Sequence, residues 1–126
     1  MLKQPTLAII VPCYNEEAVI NICYSEISSI LHSLIQDGKI SSESYICFVD
    51  DGSTDTTWEL ISNFAKNKDA KGLKFSRNFG HQSAMLAGLT QNEADIFITI
   101  DADLQDDTNT IKEMVDKYLE GFEIIY

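Results

Sequence analysis

The sequence predicts an α/β fold built on a mainly parallel sheet with helices on both faces. Short apolar runs rich in β-branched residues alternate along the chain with longer segments whose apolar residues recur at helical spacing. Strands that alternate with helices pair in parallel, because each helix carries the chain back to the start of the next strand. With 126 residues and 44% hydrophobic content, the chain is long and apolar enough for one domain with a core.

The first half of the chain contains two predicted strands and one long predicted helix. The first strand covers residues 7–11 and is closed by Pro12. The second covers residues 45–49, an apolar run of the length expected for a buried strand. Between them, Gly38 marks the end of a helix over residues 17–37. The apolar residues of that helix recur at helical spacing and are Ile20, Cys23, Ile27, Ile30, Leu31 and Leu34.

A second helix is predicted over residues 56–67, and further elements follow it. Thr56 and Glu59 have the spacing of a capping box at its start. Its apolar face consists of Trp58, Ile61 and Ala65. The later elements are a strand at 73–75, a helix at 81–89, a strand at 96–100, a helix at 111–119 and the start of a fifth strand at 123–126. Because the sequence stops inside that last strand, we expect the domain to be truncated at its C-terminus.

The charge and the cysteine content narrow the class of protein. Twenty acidic against nine basic residues give a net charge of −11, which argues against nonspecific binding to nucleic acid or to an anionic membrane surface. The sequence has no apolar run long enough to span a bilayer and no signal-peptide pattern, so we expect a cytoplasmic location for this chain. Cys13, Cys23 and Cys47 form no C-x-x-C pair and are expected to be buried thiols.

Polar residues cluster directly after each of the first four predicted strands. The clusters are Pro12–Glu16, Asp50–Asp55, Ser76–His81 and Asp101–Asp103. The carboxyl ends of parallel strands meet at one edge of the sheet, and ligands bind there, near the point where the strand order reverses. Solubility alone would place such residues equally well on helix faces. We therefore predict a ligand site at this edge.

The last of these clusters has the composition of a divalent-cation site. Asp101 and Asp103 follow a buried strand at i, i+2 spacing, so extended backbone would point both carboxylates the same way. With the amide oxygen of Gln105 they offer hard oxygen ligands suited to Mg²⁺ or Mn²⁺. An ion held by so few protein oxygens keeps coordination positions open for phosphate oxygens. The alternative is a turn or a helix N-cap, since aspartate is common in both after a strand.

Four motifs, taken in order, resemble those of the inverting glycosyltransferases of family 2, which have the GT-A fold. The motifs are Pro12-x-Tyr14-Asn15-Glu16, Asp50-Asp51-Gly52-Ser53-x-Asp55, Ser76-Arg77-Asn78-x-Gly80 and Asp101-x-Asp103. The last two look most like the polyprenyl-phosphate branch, which includes dolichyl-phosphate mannose synthase and the bactoprenol-phosphate glucosyltransferases. The resemblance runs from Leu7 to the end of the chain and implies a Rossmann-like GT-A sheet. It identifies residues 1–126 as the nucleotide-sugar-binding part of such a domain.

The resemblance implies that the first two motifs bind the nucleoside of a nucleotide-sugar donor. Pro12, Tyr14 and Glu16 would line the base and ribose site, with Tyr14 offering a stacking face. Asp51 would accept a hydrogen bond from a base N–H beside the backbone of Val49. For Tyr14 the alternative is a half-buried core aromatic, and for Asp51 it is turn chemistry.

The resemblance also implies which residues hold the phosphates and the metal. Arg77 would grip phosphate oxygens through two parallel donors, and its alternative is a surface ion pair with an aspartate. Asp101 and Asp103 would hold the metal and meet the ribose and the diphosphate. Gln105 would be a further metal ligand, and Ala102 would add a backbone contact. The ion would take up charge as the nucleoside diphosphate leaves.

The implied reaction is transfer of a sugar from a nucleotide-diphospho-sugar to an acceptor, with inversion at the anomeric carbon. A UDP-sugar is the favoured donor and GDP-mannose is the open alternative. The acceptor implied by the branch is a polyprenyl phosphate. No catalytic base is assigned, because acceptor-side residues and membrane contact are expected beyond Tyr126. We therefore expect nucleotide and metal binding, but little or no transfer, from these 126 residues alone. The full-length protein is expected at the cytoplasmic membrane, facing the cytoplasm.

Two other classes of function stay open. A catalytically inactive module that binds a nucleotide or a partner would keep the fold, although Arg77, Asp101 and Asp103 argue against it. A receiver-type phosphoacceptor domain is also acidic and Mg²⁺-binding, but it would carry its acidic pair after the first strand, where this chain has Pro-Cys-Tyr-Asn-Glu. A dinucleotide-binding oxidoreductase does not fit, because no G-x-G-x-x-G follows the first strand.

Overall fold

The computed structural model describes residues 4–103 and 109–121 and contains the predicted alternation of strands and helices. Its elements in chain order are β1 Leu7–Cys13, α1 Ile20–Gln36, β2 Tyr45–Asp50, α2 Thr57–Phe64, β3 Ala70–Lys74, α3 His81–Thr90, β4 Ile96–Thr99 and α4 Asn109–Leu119. The fifth strand predicted at 123–126 lies outside the described residues.

The four strands of the described chain form one parallel sheet in the order β3-β2-β1-β4. β1 pairs with β2 as far as Cys13–Asp50, and with β4 as far as Ile10–Thr99. The chain therefore moves outward from β1 through β2 to β3 and then returns to the other side of β1. This reversal leaves a crevice at the carboxyl ends of β1 and β4, where ligands of such sheets bind. The predicted α/β class with a mainly parallel sheet is confirmed.

Helices cover both faces of this sheet. Leu7, Ile9 and Val11 of β1 belong to the larger core cluster, together with residues of α1, α2 and α4. Ala8 and Ile10, on the opposite face of β1, belong to a second cluster that includes residues of α3. Burial on both faces explains why β1 and β2 are unbroken apolar runs rather than alternating sequences.

Helix α3 approaches the sheet closely because it carries a glycine at the contact. A Cβ added to Gly88 would lie 2.3 Å from Cγ2 of Ile10 and 3.3 Å from Cγ2 of Val49. The buried residues of this helix are the small ones, Ala84 and Gly88. The contact seats α3 against β1, so that its first residues lie at the carboxyl edge of the sheet.

Two strand boundaries differ from the prediction. β1 continues through Pro12, because pairing with β4 has stopped at Ile10 and Pro12 pairs only on the β2 side. A proline tolerates such a position because no second neighbour requires its missing N–H. β3 begins at Ala70 rather than at 73, since pairing with β2 carries the strand across Gly72, which no apolar pattern marks.

The helix boundaries also differ in detail. α1 begins at Ile20 rather than at 17, because the carbonyl of Glu16 first closes a turn. In α2, Phe64 rather than Ala65 completes the buried face, and Ala65 is exposed. The predicted capping box is wrong, since the side chain of Thr56 makes no capping hydrogen bond.

The cysteines are free and buried, as predicted. Burial raises the pKa of the Cys23 thiol to about 12, and the nearby carboxylate of Glu16 adds to the effect. None of the helices within residues 4–103 and 109–121 combines the length and the apolarity needed to cross a membrane.

Candidate functional site

One cavity lies at the carboxyl edge of the sheet, beside the crevice between β1 and β4. Its volume is about 370 Å³, which is in the range of small-molecule sites. The end of β1, the segment after β2, the start of α3 and the segment after β4 form its walls. The lining residues are Pro12, Cys13, Tyr14, Glu16, Asp51, Asn78, Gly80, His81, Ala84, Asp101, Ala102 and Asp103.

Most of the predicted site residues line this one cavity. They are Pro12, Tyr14, Glu16, Asp51, Asp101, Ala102 and Asp103. Val49 does not line it, because its side chain is fully buried beneath α3. Gln105 lies outside the described residues. Cys13 and Ala84 line the cavity without having been predicted. Their small side chains carry no signal of their own, and only their positions beside the motifs could have indicated them.

Arg77 does not line the cavity, and its contact with phosphate stays a prediction. Its guanidinium carbon is 4.1 Å from the centroid of the Phe79 ring, a cation–π contact. Phe79 packs edge-on against Phe75, with 5.5 Å between ring centroids. Among residues 4–103 and 109–121, the predicted alternative, an ion pair between Arg77 and an aspartate, is not present either. The backbone path of the loop brings the cation over the ring, and sequence spacing does not specify that path.

The loop after β1 is bound to the loop after β2 by hydrogen bonds between side chains and backbone. Asn15 has a φ of 52°, and its Oδ1 accepts the N–H of Thr54 at 2.8 Å. The N–H of Asn15 donates to Oγ of Ser53 at 2.9 Å, and the N–H of Glu16 donates to Oγ1 of Thr57 at 2.9 Å. These bonds fix the backbone from which the residues on either side of Asn15 reach the cavity.

The two adjacent aspartates at the end of β2 have different surroundings. Asp50 is fully buried, and its Oδ1 accepts the N–H of Ser53 at 3.1 Å as well as the Ser53 hydroxyl. Asp51 is 3% exposed; its Oδ1 accepts the N–H of Phe79 at 2.7 Å and its Oδ2 accepts the N–H of Gly80 at 3.1 Å. Asp50 therefore stabilises its own turn, whereas Asp51 joins β2 to the loop that precedes α3.

Acidic side chains converge on the cavity. Burial raises the pKa of Glu16, and repulsion from Asp103, Asp55 and Asp101 raises it further. Nε2 of His81 lies 3.6 Å from Oδ1 of Asp101. Tyr14 lines the same cavity and is 43% exposed, so the core-aromatic alternative does not apply to it. The cavity is thus an acidic cleft with an exposed aromatic ring.

Asp101 and Asp103 reach the cavity by a different route from the one predicted. β4 ends at Thr99, and Ala102 and Asp103 form a turn, so extended backbone does not align the two carboxylates. Both nevertheless line the cavity. In the described part of the chain, no group of three or more histidine, cysteine, aspartate or glutamate side chains is arranged to hold a metal ion. Two carboxylates in an acidic cleft still have the oxygen chemistry that fits Mg²⁺ or Mn²⁺.

A second cavity, of about 610 Å³, lies at the amino edge of the sheet, where Asp69 precedes β3. Asp69 accepts hydrogen bonds there from the hydroxyls of Tyr24 and Ser28, both at 2.6 Å, and its Oδ2 lies 3.1 Å from Nε2 of His32. Burial would raise the pKa of Asp69, but these bonds outweigh it and hold the pKa below its usual value. The polar groups bond to one another, and no predicted site residue lines this cavity. We assign the functional site to the carboxyl edge.

Comparison with known proteins shows which family and which solved structures the chain resembles. The family model described as Glycosyl transferase family 2 matches residues 8–126. The chain is 48% identical to the uncharacterized glycosyltransferase YkoT of Bacillus subtilis, over 98% of this chain and 38% of the relative. It is 31% identical to the undecaprenyl-phosphate 4-deoxy-4-formamido-L-arabinose transferase of Aeromonas hydrophila, over 94% of this chain and 35% of that protein. Among solved structures, S. aureus TarS 1-349 in complex with UDP-GlcNAc superposes with a TM-score of 0.62 and 27% identity, over 91% of this chain and 31% of that one.

These matches establish how much of the relatives the sequence covers. The chain spans 38% of the length of YkoT and 35% of the length of the Aeromonas transferase. The matched part begins within β1 and contains the whole cavity described above. The expected GT-A architecture agrees with the superposition on TarS.

Proposed function

Because this chain belongs to glycosyl transferase family 2, we propose that it supplies the donor-binding site of a glycosyltransferase that uses a nucleotide-sugar. One observation carries the proposal. Seven residues predicted from three separate motifs line a single cavity at the reversal of strand order. A chance distribution of turn formers would not bring an exposed tyrosine, four acidic side chains and small backbone-exposing residues into one cleft.

The nucleoside end of the donor would lie against the ends of β1 and β2. Tyr14 offers an exposed ring for stacking on a base, and Pro12 forms an adjacent wall. Glu16 and Asp51 offer carboxylate oxygens for N–H and O–H donors of the nucleoside. Each Asp51 oxygen already accepts one backbone N–H, and each keeps a second lone pair for a ligand. Val49 would contribute through its backbone alone.

The diphosphate end would lie at the other side of the cleft, next to Asp101 and Asp103. These two carboxylates would hold Mg²⁺ or Mn²⁺, with Gln105 as a further ligand and Ala102 in backbone contact. The ion, when bound, would neutralise charge on the departing nucleoside diphosphate. Arg77 would reach a phosphate only after leaving the ring of Phe79, so we place it outside the donor site in the resting state.

The reaction we propose is a single displacement with inversion at the anomeric carbon. The residues of this chain bind and orient the donor, and the acceptor oxygen attacks from the side opposite the diphosphate. A UDP-sugar is favoured, because TarS, at 27% identity, was solved with UDP-GlcNAc. A polyprenyl-phosphate acceptor is supported by the name of the Aeromonas relative, and it would place the full-length protein at a membrane. An acceptor that is already an anionic phosphate has little need of a strong general base.

Calorimetric titration of the chain with UDP and with GDP, each with and without Mn²⁺, tests the donor site. We expect Mn²⁺-dependent binding, tighter for UDP than for GDP. Asp103→Asn should weaken binding in Mn²⁺ about tenfold or more, since it removes one charged ligand oxygen. Asp95→Asn is the matched control, because Asp95 is exposed at the amino edge, where its side chain accepts the N–H of Thr6 at 2.8 Å. Absence of binding to either nucleotide in Mn²⁺ would refute the donor site. UDP binding that neither Mn²⁺ removal nor Asp103→Asn alters would refute the metal role.

A further inference from the structure

The carboxylate of Asp51 is occupied by the protein's own backbone. Asp51 is 3% exposed, and its two oxygens accept the N–H groups of Phe79 and Gly80 at 2.7 and 3.1 Å. Hydrogen bonds to an ionised acceptor are stronger than neutral ones, and two from adjacent amides define an orientation as well as a distance. The partners lie 28 and 29 residues away in the sequence, so the contact is a tertiary clamp rather than a local turn.

The residue after Asp51 brings the two backbones together at the same place. Gly52 has a φ of 72°, and a Cβ built on it would lie 2.2 Å from the carbonyl carbon of Arg77 and 2.5 Å from the backbone nitrogen of Asn78. Only glycine fits there, both because of its backbone conformation and because the neighbouring atoms are backbone that cannot swing away. Asp51 and Gly52 together seat the loop of residues 76–80.

That loop forms a wall of the donor cavity. Asn78 and Gly80 line it, and so does His81, the first residue of α3. Gly80 has a φ of 104°, so the loop turns sharply into the helix at the residue whose N–H Asp51 holds. A displacement of these amides would move the wall directly.

We propose that Asp51 is a positioning residue, whose carboxylate holds the 76–80 loop in the place where it forms the donor-site wall. This inference rests on the proposed function and deepens it. Holding the loop is a role of the Asp51 carboxylate that is separate from its proposed contact with the base. A contact between Asp51 and the base would set the preference between uracil and guanine, whereas a clamp supports binding of either nucleotide equally.

The test compares Asp51→Asn and Gly52→Ala with the unsubstituted chain and with Asp95→Asn. An asparagine offers one acceptor in place of two, so one amide of the loop loses its partner. Gly52→Ala removes no hydrogen-bonding group and pushes the loop away sterically. We expect both variants to bind UDP and GDP in Mn²⁺ about tenfold more weakly. In Gly52→Ala, which disturbs the loop and leaves the Asp51 carboxylate in place, the ratio of the two affinities should be unchanged. Asp95→Asn should bind both like the unsubstituted chain.

Amide hydrogen exchange of the nucleotide-free chain supplies the readout that general destabilisation would not give. We expect faster exchange at Phe79 and Gly80 in Asp51→Asn and Gly52→Ala, with unchanged protection in β1 and β2. Uniformly faster exchange, or unchanged exchange at the two amides, would overturn the clamp. If the unsubstituted chain binds neither nucleotide, the donor-site proposal fails first, and the exchange data then show whether the clamp exists without it.

Discussion

Substitution of Gly88 by alanine tests how closely α3 lies on the sheet. Two opposing effects decide whether the substitution raises or lowers the free energy of unfolding. In an exposed helix interior, alanine is more favourable than glycine by about 1 kcal/mol. At Gly88 the added methyl group would meet Cγ2 of Ile10 at 2.3 Å, well inside van der Waals contact. Overpacking of this kind costs about 1–3 kcal/mol, because the neighbour belongs to a fully buried strand. The clash should win, and we expect Gly88→Ala to destabilise the chain by up to about 2 kcal/mol.

Equilibrium unfolding in urea measures this change, provided that the transition is two-state. Ser83→Ala is the control for helix propensity, since Ser83 is an exposed residue of the same helix. It should shift the midpoint slightly upward or not at all. Ile10→Ala removes the atom that the new methyl group meets, so the double variant should be more stable than the sum of the single changes predicts. A Gly88→Ala chain that is more stable than the unsubstituted one would refute the close packing of α3 on β1.

Three further predictions concern stability and reactivity. Asp69→Asn should destabilise the chain by about 1–3 kcal/mol at neutral pH, because it weakens charged hydrogen bonds. Since the folded-state pKa of Asp69 is lowered, its contribution is present above the unfolded value and is lost as the pH falls through the folded one. Urea midpoints followed into the acid range should therefore fall less steeply in the variant. All the thiols should resist a thiol reagent at pH 8 until urea unfolds the chain, because each is buried and the pKa of Cys23 is raised to about 12. Asn15→Ala should destabilise more than Asn15→Gly, because both lose the bond to Thr54 but only alanine is strained at a φ of 52°; equal losses would contradict this.

The sequence predicted the structure well wherever the type of residue alone indicates its place in the fold. Apolar runs located β1, β2 and β4, since such short uninterrupted runs are typical of buried strands. The start of β3 was missed, because its sequence is not an apolar run. The polar clusters after those runs located the cavity, because parallel strands must bring their carboxyl ends to one edge. Tyr14, Glu16, Asp101 and Asp103 were placed together by that argument before any distance was known.

The sequence was uninformative wherever the use of a side chain depended on the path of a distant backbone. Asp51 was predicted to face a ligand. Sequence spacing could not reveal that it also accepts hydrogen bonds from two backbone amides 28 and 29 residues away. Arg77 was predicted to contact a phosphate, and its contact with the ring of Phe79, two positions along the chain, was not predicted. The hydrogen-bonded network around Asp69 was missed for the same reason, because only the fold brings Ser28 and His32 to it. Helical spacing of Tyr24, Ser28 and His32 was the available signal, and polar residues at that spacing are common on exposed helix faces.

Because the cavity is acidic, an anionic nucleotide needs a cation to bind there. None of the described residues that line it is a lysine or an arginine, whereas Glu16, Asp51, Asp101 and Asp103 all carry carboxylates. A nucleoside diphosphate would add further negative charge, and like charges at these distances repel. Burial raises the pKa of Glu16, and the further rise caused by its acidic neighbours is the same repulsion acting among the protein's own groups. A divalent ion at Asp101 and Asp103 would turn that repulsion into attraction. Metal and nucleotide must then each raise the affinity of the other by one common factor, because coupling between two binding equilibria is reciprocal.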